Sequence, residues 1–194
     1  MSLTWSKLIP WIPALAAVLC GLCCLKRPWR KLAAPICITS VGLSFVLSVL
    51  VSPNVKPFHL NETDSQHLVK FFEWIEVGNF KANFHYFVDP LTIVMLFLVT
   101  GIGVLVAIYA AGYMKGDPGY ARFFSSVSLF IFAMTTLVMA DNLVLFYLGW
   151  EGVGLCSYLL IGFYYQKPSA VSAAKKAFIV NRIGDLGFAI GFWL

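Results

Sequence analysis

Charge is what this sequence has least of. Charged residues fill 12% of its 194 positions, about half of the roughly 25% that a water-facing domain carries. That excludes an ordinary soluble domain. A disulfide framework is missing too, because Cys20, Cys23, Cys24, Cys37 and Cys156 all lie inside apolar runs and not in the loops of a secreted scaffold. Cys20-x-x-Cys23-Cys24 has no second ligand pair beside it, and His59, His67 and His85 fall in a different compartment. The thiols therefore read as packing side chains in preference to a metal site. The chain has no Walker motif, flavin site, haem-ligand pair or iron–sulfur cysteine spacing. Gly101-x-Gly103 stands inside an apolar helix with no strand before it, so it is no dinucleotide loop. Any redox chemistry belongs elsewhere. Fixed-period repeats and low-complexity segments are also absent.

Apolar length is what the sequence has in abundance. Sixty per cent of the residues are hydrophobic, gathered into runs near the ~20 residues that a helix needs to cross a ~30 Å hydrocarbon layer. Six spans follow, at 8–25, 32–52, 90–113, 122–140, 143–165 and 173–194. The expected fold is an all-α polytopic helix bundle with about six transmembrane helices. No A-x-A-like cleavage site separates the first run from the basic loop after it, so that run is expected to stay as a spanning helix.

The net charge of +5 does not point to nucleic acid, since no basic stripe alternates with exposed aromatics. The cations sit between hydrophobic runs instead. Lys26, Arg27, Arg30 and Lys31, then Lys115 and Arg122, then Lys167, Lys175 and Lys176 occupy connectors one, three and five, against the single acid Asp117. The N-terminus and the other two connectors hold Lys7, Lys56, Lys70 and Lys81 against Glu62, Asp64, Glu73, Glu76, Asp89 and Asp141. By the positive-inside rule the N-terminus is expected outside and the basic connectors in the cytoplasm.

Local chemistry marks several element ends. Asp89-Pro90 pairs an N-cap acceptor with a first-turn proline, Asp141-Asn142 breaks span four from span five, and Gly116-Asp117-Pro118-Gly119 is a strong turn signal. In the long connector 53–89, the alternation around Gly78-Asn79 predicts a small external β-hairpin. Leu68, Phe71, Phe72 and Ile75 offer an interfacial amphipathic turn as the alternative. Gly103, Ala107 and Ala111, and separately Gly187 and Gly191, make small-residue stripes that suit helix packing. The chain divides into a two-helix region with its external loop, 1–87, and a second unit, 88–194. Span six reaches Phe192-Trp193-Leu194 with no polar tail, so the sequence is expected to be a piece of a longer protein.

Away from the span ends, three charged residues lie inside the spans: Glu151 in span five, and Arg182 and Asp185 in span six. A charge at mid-bilayer costs about 2.5–3.5 kcal/mol even on insertion scales, so such groups face the bundle interior and find partners. Glu151 sits near mid-depth within Gly149-Trp150-Glu151-Gly152-Val153-Gly154, where glycines allow close backbone approach. A carboxylate whose counter-cation can move is a proton site that can be switched; a structural glutamate bonded to a neighbouring helix is the plainer reading. Arg182 and Asp185 are three apart, share a helix face and can pair. They either tune Glu151 or lock helix packing. Lys176, near the cytoplasmic edge, reads as a snorkelling lysine.

From Asp89 onward the chain resembles a known family. The stretches Asp89-Pro90-Leu91-Thr92, Gly112-Tyr113-Met114, Gly116-Asp117-Pro118-Gly119-Tyr120, Arg122-Phe123-Phe124, Ala140-Asp141-Asn142-Leu143, Gly149 through Phe163, Lys175-Lys176-Ala177-Phe178 and Arg182-Ile183-Gly184-Asp185 resemble the L (chain 5 type) subunits of NADH-quinone oxidoreductase, respiratory complex I. The resemblance is dense over 85–194 and is one of pattern before that. It implies an antiporter-like, proton-translocating membrane subunit that binds no redox cofactor, with FMN and iron–sulfur clusters in other subunits. It implies other membrane-arm subunits and the lipid bilayer as partners, no nucleic acid, and NADH and quinone acting elsewhere in the complex. It also implies a multi-pass place in a bacterial inner membrane. The family's key glutamate falls at Glu151 and its charged pair at Arg182 and Asp185, while the glutamate's usual lysine partner is not among these residues. The large subunit of a multi-subunit cation/proton antiporter is the alternative, and a scaffold whose charges only pack helices is a third reading.

Overall fold

The structure is a computed structural model and describes residues 3–25, 27–55, 68–77 and 80–193. Six α-helices form, α1 Leu8–Cys23, α2 Ala33–Val51, α3 Pro90–Tyr113, α4 Tyr120–Val138, α5 Leu143–Ile161 and α6 Pro168–Trp193, with strands β1 Leu68–Val77 and β2 Phe80–Phe87 between α2 and α3. The first five helical segments are long and apolar enough to cross a membrane. α6, at 26 residues, is about 39 Å long, but Lys175, Lys176, Arg182 and Asp185 dilute its hydropathy.

Turn chemistry starts and stops these helices largely where the sequence puts it. Asp89 Oδ1 accepts the Thr92 backbone N–H at 2.6 Å and Pro90 opens α3. Asn142 Oδ1 does the same for Leu145 at 2.9 Å at the start of α5. Between α3 and α4, Gly116 takes φ +95°, a conformation that costs glycine nothing. α5 ends at Ile161 and not at 165, because after Gly162 the Phe163 N–H turns to Leu160 O, a tighter i to i−3 bond, and the aromatic run folds back. Phe163 is buried there against Phe123. α6 begins at Pro168, earlier than the hydrophobic run alone suggests, since proline is pre-organised for a first helical turn.

The hairpin is antiparallel, with Val77 opposite Phe80 and Leu68 opposite Phe87. Phe71 and Ile75 therefore lie on a strand and not on an interfacial helical turn. Residues 78–79, at the expected turn, lie outside the described residues. Phe71, Phe84 and Tyr86 make edge contacts 5.1–5.8 Å apart, and Trp11 of α1 reaches Phe84 at 6.5 Å. Tyr86 is fully buried, and burial pushes its phenol up to about 12.

α1 packs on α2 and α4, α2 on α3, and α4 on α5, while α6 rests chiefly on α5. One core joins Cys20, Cys37, Val41, Ala107, Phe124 and Ile131; a second, beneath the hairpin, joins Ile9, Val51, Tyr86, Leu96, Met139 and Leu145. Cys20, Cys23 and Cys37 serve the first core as small apolar groups, with Cys20 Sγ donating to Ala33 O at 3.3 Å. Gly103 fits tightly, since a Cβ there would stand 2.9 Å from Ile131 Cδ1, whereas Gly187 and Gly191 have nothing within 4 Å. The stripe on α3 is thus used for packing and that on α6 is unpartnered among the described residues.

Successive helices run up and down, which gathers the connectors by charge. On one face Arg30 Nη1 donates to Pro118 O at 3.4 Å and Arg122 Nη2 to Phe163 O at 2.9 Å, joining connectors one, three and five. On the other, Lys7 Nζ donates to Lys70 O and Asn142 Nδ2 to Asn83 O, both at 2.6 Å.

Candidate functional site: an ionic cluster between α5 and α6

Glu151 is the ninth of the 19 residues of α5, halfway along the helix. The glycines around it decide which way it faces. A Cβ on Gly149 would lie 2.7 Å from Leu137 Cα, and one on Gly152 would lie 3.0 Å from Ala133 Cβ. The Gly149–Gly152 face is therefore pressed onto α4. Trp150 and Glu151 are turned toward α6 instead.

There Glu151 Oε2 forms an ion pair with Arg182 Nη1. The same guanidinium nitrogen stands 3.7 Å from Asp185 Oδ2, one helical turn further on. Asp185 is held from the other side by Trp150, whose indole Nε1–H donates to Asp185 Oδ1 at 2.7 Å. The three residues singled out from the sequence thus meet in one cluster, and Trp150 joins them. An arginine is always charged, so the cluster holds one cation between two carboxylates. Its side chains differ in exposure: 9% for Asp185, 18% for Glu151 and 39% for Arg182. Arg182 also covers the Phe178 ring at 4.7 Å.

Aromatic rings flank the cluster on both sides along the α5–α6 seam. Phe188 stacks with Tyr147 at 5.8 Å and with Trp150 at 6.3 Å, and Tyr158 meets Phe178 at 5.3 Å. Such walls lower the local dielectric and strengthen the charge–charge interactions they enclose. A cation shared by two carboxylates can lean toward either, which leaves the other free to take a proton. Chemically, the arrangement suits proton handling.

Trp150 is the participant that spacing did not reveal. The signal available was that an indole N–H in an apolar helix needs an acceptor, and its neighbour Glu151 was the only charged residue on that helix. Outside the spans, burial pushes the Asp141 carboxyl above its ordinary value, and His85 partly offsets this. His85 and Asp141 belong to the hairpin face and stand apart from the cluster.

Comparison with known proteins gives a consistent outcome. The family model described as "NADH-Ubiquinone oxidoreductase (complex I), chain 5 N-terminus" matches residues 74–124. The one described as "NADH:quinone oxidoreductase/Mrp antiporter, TM" matches residues 140–194, which include the whole cluster. NADH-quinone oxidoreductase subunit L of Escherichia coli (strain K12) is 46% identical over 167 residues, covering 85% of this chain and 26% of that protein. NAD(P)H-quinone oxidoreductase subunit 5, chloroplastic, of Mesostigma viride is 42% identical over 201 residues, covering 98% of this chain and 30% of that protein. The chain therefore spans between a quarter and a third of the length of these relatives. A chain of the membrane-bound sulfane sulfur reductase, an archaeal respiratory membrane complex, shares the fold with TM-score 0.75 at 14% identity, over 97% of this chain and 36% of that one.

Proposed function

This chain belongs to the family of chain 5, antiporter-like membrane subunits of NADH:quinone oxidoreductase, and from that premise we propose that it is the N-terminal part of a proton-translocating subunit of complex I. It acts as a non-redox part of a translocase. Its partners are other membrane-arm subunits, and FMN, iron–sulfur clusters, NADH and quinone belong elsewhere in the complex. The protein sits in a bacterial inner membrane with its N-terminus outside and the basic face in the cytoplasm, and it divides at 87/88 into an N-terminal region and the start of the translocating domain.

The observation that carries this reading is the mid-helix ion pair of Glu151 with Arg182, a cation that also approaches Asp185. Glu151 is the proton carrier. When the guanidinium leans toward Asp185, Glu151 loses its counter-ion and takes up a proton; when it returns, the proton leaves. Redox energy released elsewhere in the complex drives that alternation through the neighbouring helices. Trp150 holds Asp185 so that Arg182 has a fixed second resting place.

The test is Glu151→Gln in the full-length protein within its complex, read as NADH-driven proton uptake by inverted membrane vesicles. Uptake falls about a hundredfold or more, the low end of what a positioned proton-transfer group contributes, while assembly persists on a native gel. Unimpaired uptake in an assembled complex refutes the role. The matched family also covers Mrp antiporters, which keeps a second reading in view. A sodium gradient that drives proton movement without NADH, and loses it in the same variant, would favour a cation/proton antiporter.

A further inference from the structure

The cations of the basic face set topology by number alone, yet three of them converge on one place. Arg30, Arg122 and Lys167 line a cavity of about 500 Å³ where the turn before α2, the α3–α4 turn and the α5–α6 loop meet. A second cavity of about 510 Å³ adjoins it, sharing Cys24, Arg122, Phe163 and Tyr165, and runs down between α1, α4 and α5 along Leu129 and Leu159. The first carries the three cations among aromatic side chains; the second has Arg122 at its junction with the first and continues along Leu129 and Leu159.

Aromatic rings and backbone carbonyls hold the three cations in place. Arg122 stacks on Phe163 at 5.0 Å and Tyr165 at 4.8 Å and donates one N–H to Phe163 O at 2.9 Å, which leaves four of its five donors. Lys167 Nζ lies 5.0 Å from the Tyr164 ring centroid, and Arg30 makes its 3.4 Å contact with Pro118 O. Among the described residues none of them is in an ion pair. Asp117, the acid in the lining, accepts Gly119 N–H at Oδ1 at 2.7 Å, and against the three cations it leaves the lining net positive. Aromatic faces and carbonyls thus pre-orient three cations around a gap at a membrane interface, an arrangement that topology alone does not require and that phosphate chemistry fits.

We propose that the two cavities together bind an anionic phospholipid, its phosphodiester against Arg30, Arg122 and Lys167 and an acyl chain along Leu129 and Leu159. The apolar continuation favours an amphiphile over a free anion. The proposal does not depend on the proton pathway.

The experiment uses the full-length subunit in its purified, detergent-solubilised complex, with lipid binding measured by native mass spectrometry. Phosphatidylglycerol binds, phosphatidylcholine with the same acyl chains binds at least about tenfold more weakly, and inorganic phosphate does not displace the lipid. The double variant R30Q/K167Q weakens phosphatidylglycerol binding about tenfold. K175Q/K176Q removes the same charge from the same face outside the cavities and leaves binding unchanged. Leu159→Trp, which fills the apolar groove, weakens binding without touching a charge and carries the test if R30Q/K167Q does not assemble. The proposal is overturned if phosphatidylcholine binds as well, if inorganic phosphate competes equally, if both double variants weaken binding alike, or if neither R30Q/K167Q nor Leu159→Trp changes it.

Discussion

At the scale of single residues, the working contacts are few and unequal. Glu151 and Asp185 share Arg182, but only Asp185 has a second donor, the Trp150 indole at 2.7 Å. A hydrogen bond to a charged group contributes about 1.5–3 kcal/mol, enough to decide which carboxylate keeps the guanidinium. Trp150→Phe retains the ring against Phe188 and removes only that donor. The expected outcome is an assembled complex whose NADH-driven proton uptake has a shifted pH profile. A profile superimposable on the wild type would reduce Trp150 to a packing residue. Arg182 and Asp185 were legible as partners because they are three apart on one helix. Their meeting with Glu151 was not, since local spacing carries no information about how α6 is rotated against α5. Trp150 was hidden for the same reason.

Helices and strands obey simpler rules. The first four helices and the hairpin were readable because long apolar runs, alternation and turn residues such as Asp89-Pro90 and Gly116-Asp117 act locally. The C-terminal end of α5 and the start of α6 were misjudged because Phe163, Tyr164 and Tyr165 are apolar by composition yet belong to a loop folded over Arg122. Gly149 sets the approach of α5 to α4, since its Cβ would stand 2.7 and 2.8 Å from the Cα and N of Leu137, and backbone atoms cannot rotate aside. Gly149→Ala is expected to destabilise the solubilised protein by about 1–3 kcal/mol, as overpacking does. Gly112→Ala, with nothing within 4 Å, stays within about 0.5 kcal/mol of wild type. Thermal unfolding of the two variants measures the difference; equal midpoints would mean that α4 and α5 are not in close contact at Gly149.

For the molecule as a whole, the up-and-down bundle sorts its connectors by charge and leaves much apolar surface outward. Leu105 and Ile183 are 67% and 68% exposed, as suits side chains that meet lipid or further helices. The cluster lies at the edge of the described bundle, with Arg182 as its most open member, so its cation is the part free to move. If Glu151 and Arg182 work as one unit, their losses must not compound. The most direct test is a cycle of Glu151→Gln, Arg182→Gln and the double variant in the full-length protein, read as NADH-driven proton uptake per assembled complex. The account predicts that the double variant pumps no worse than the poorer single variant, the behaviour of residues that act together. If the two losses multiply instead, Glu151 and Arg182 act independently and the shared-cation mechanism is wrong.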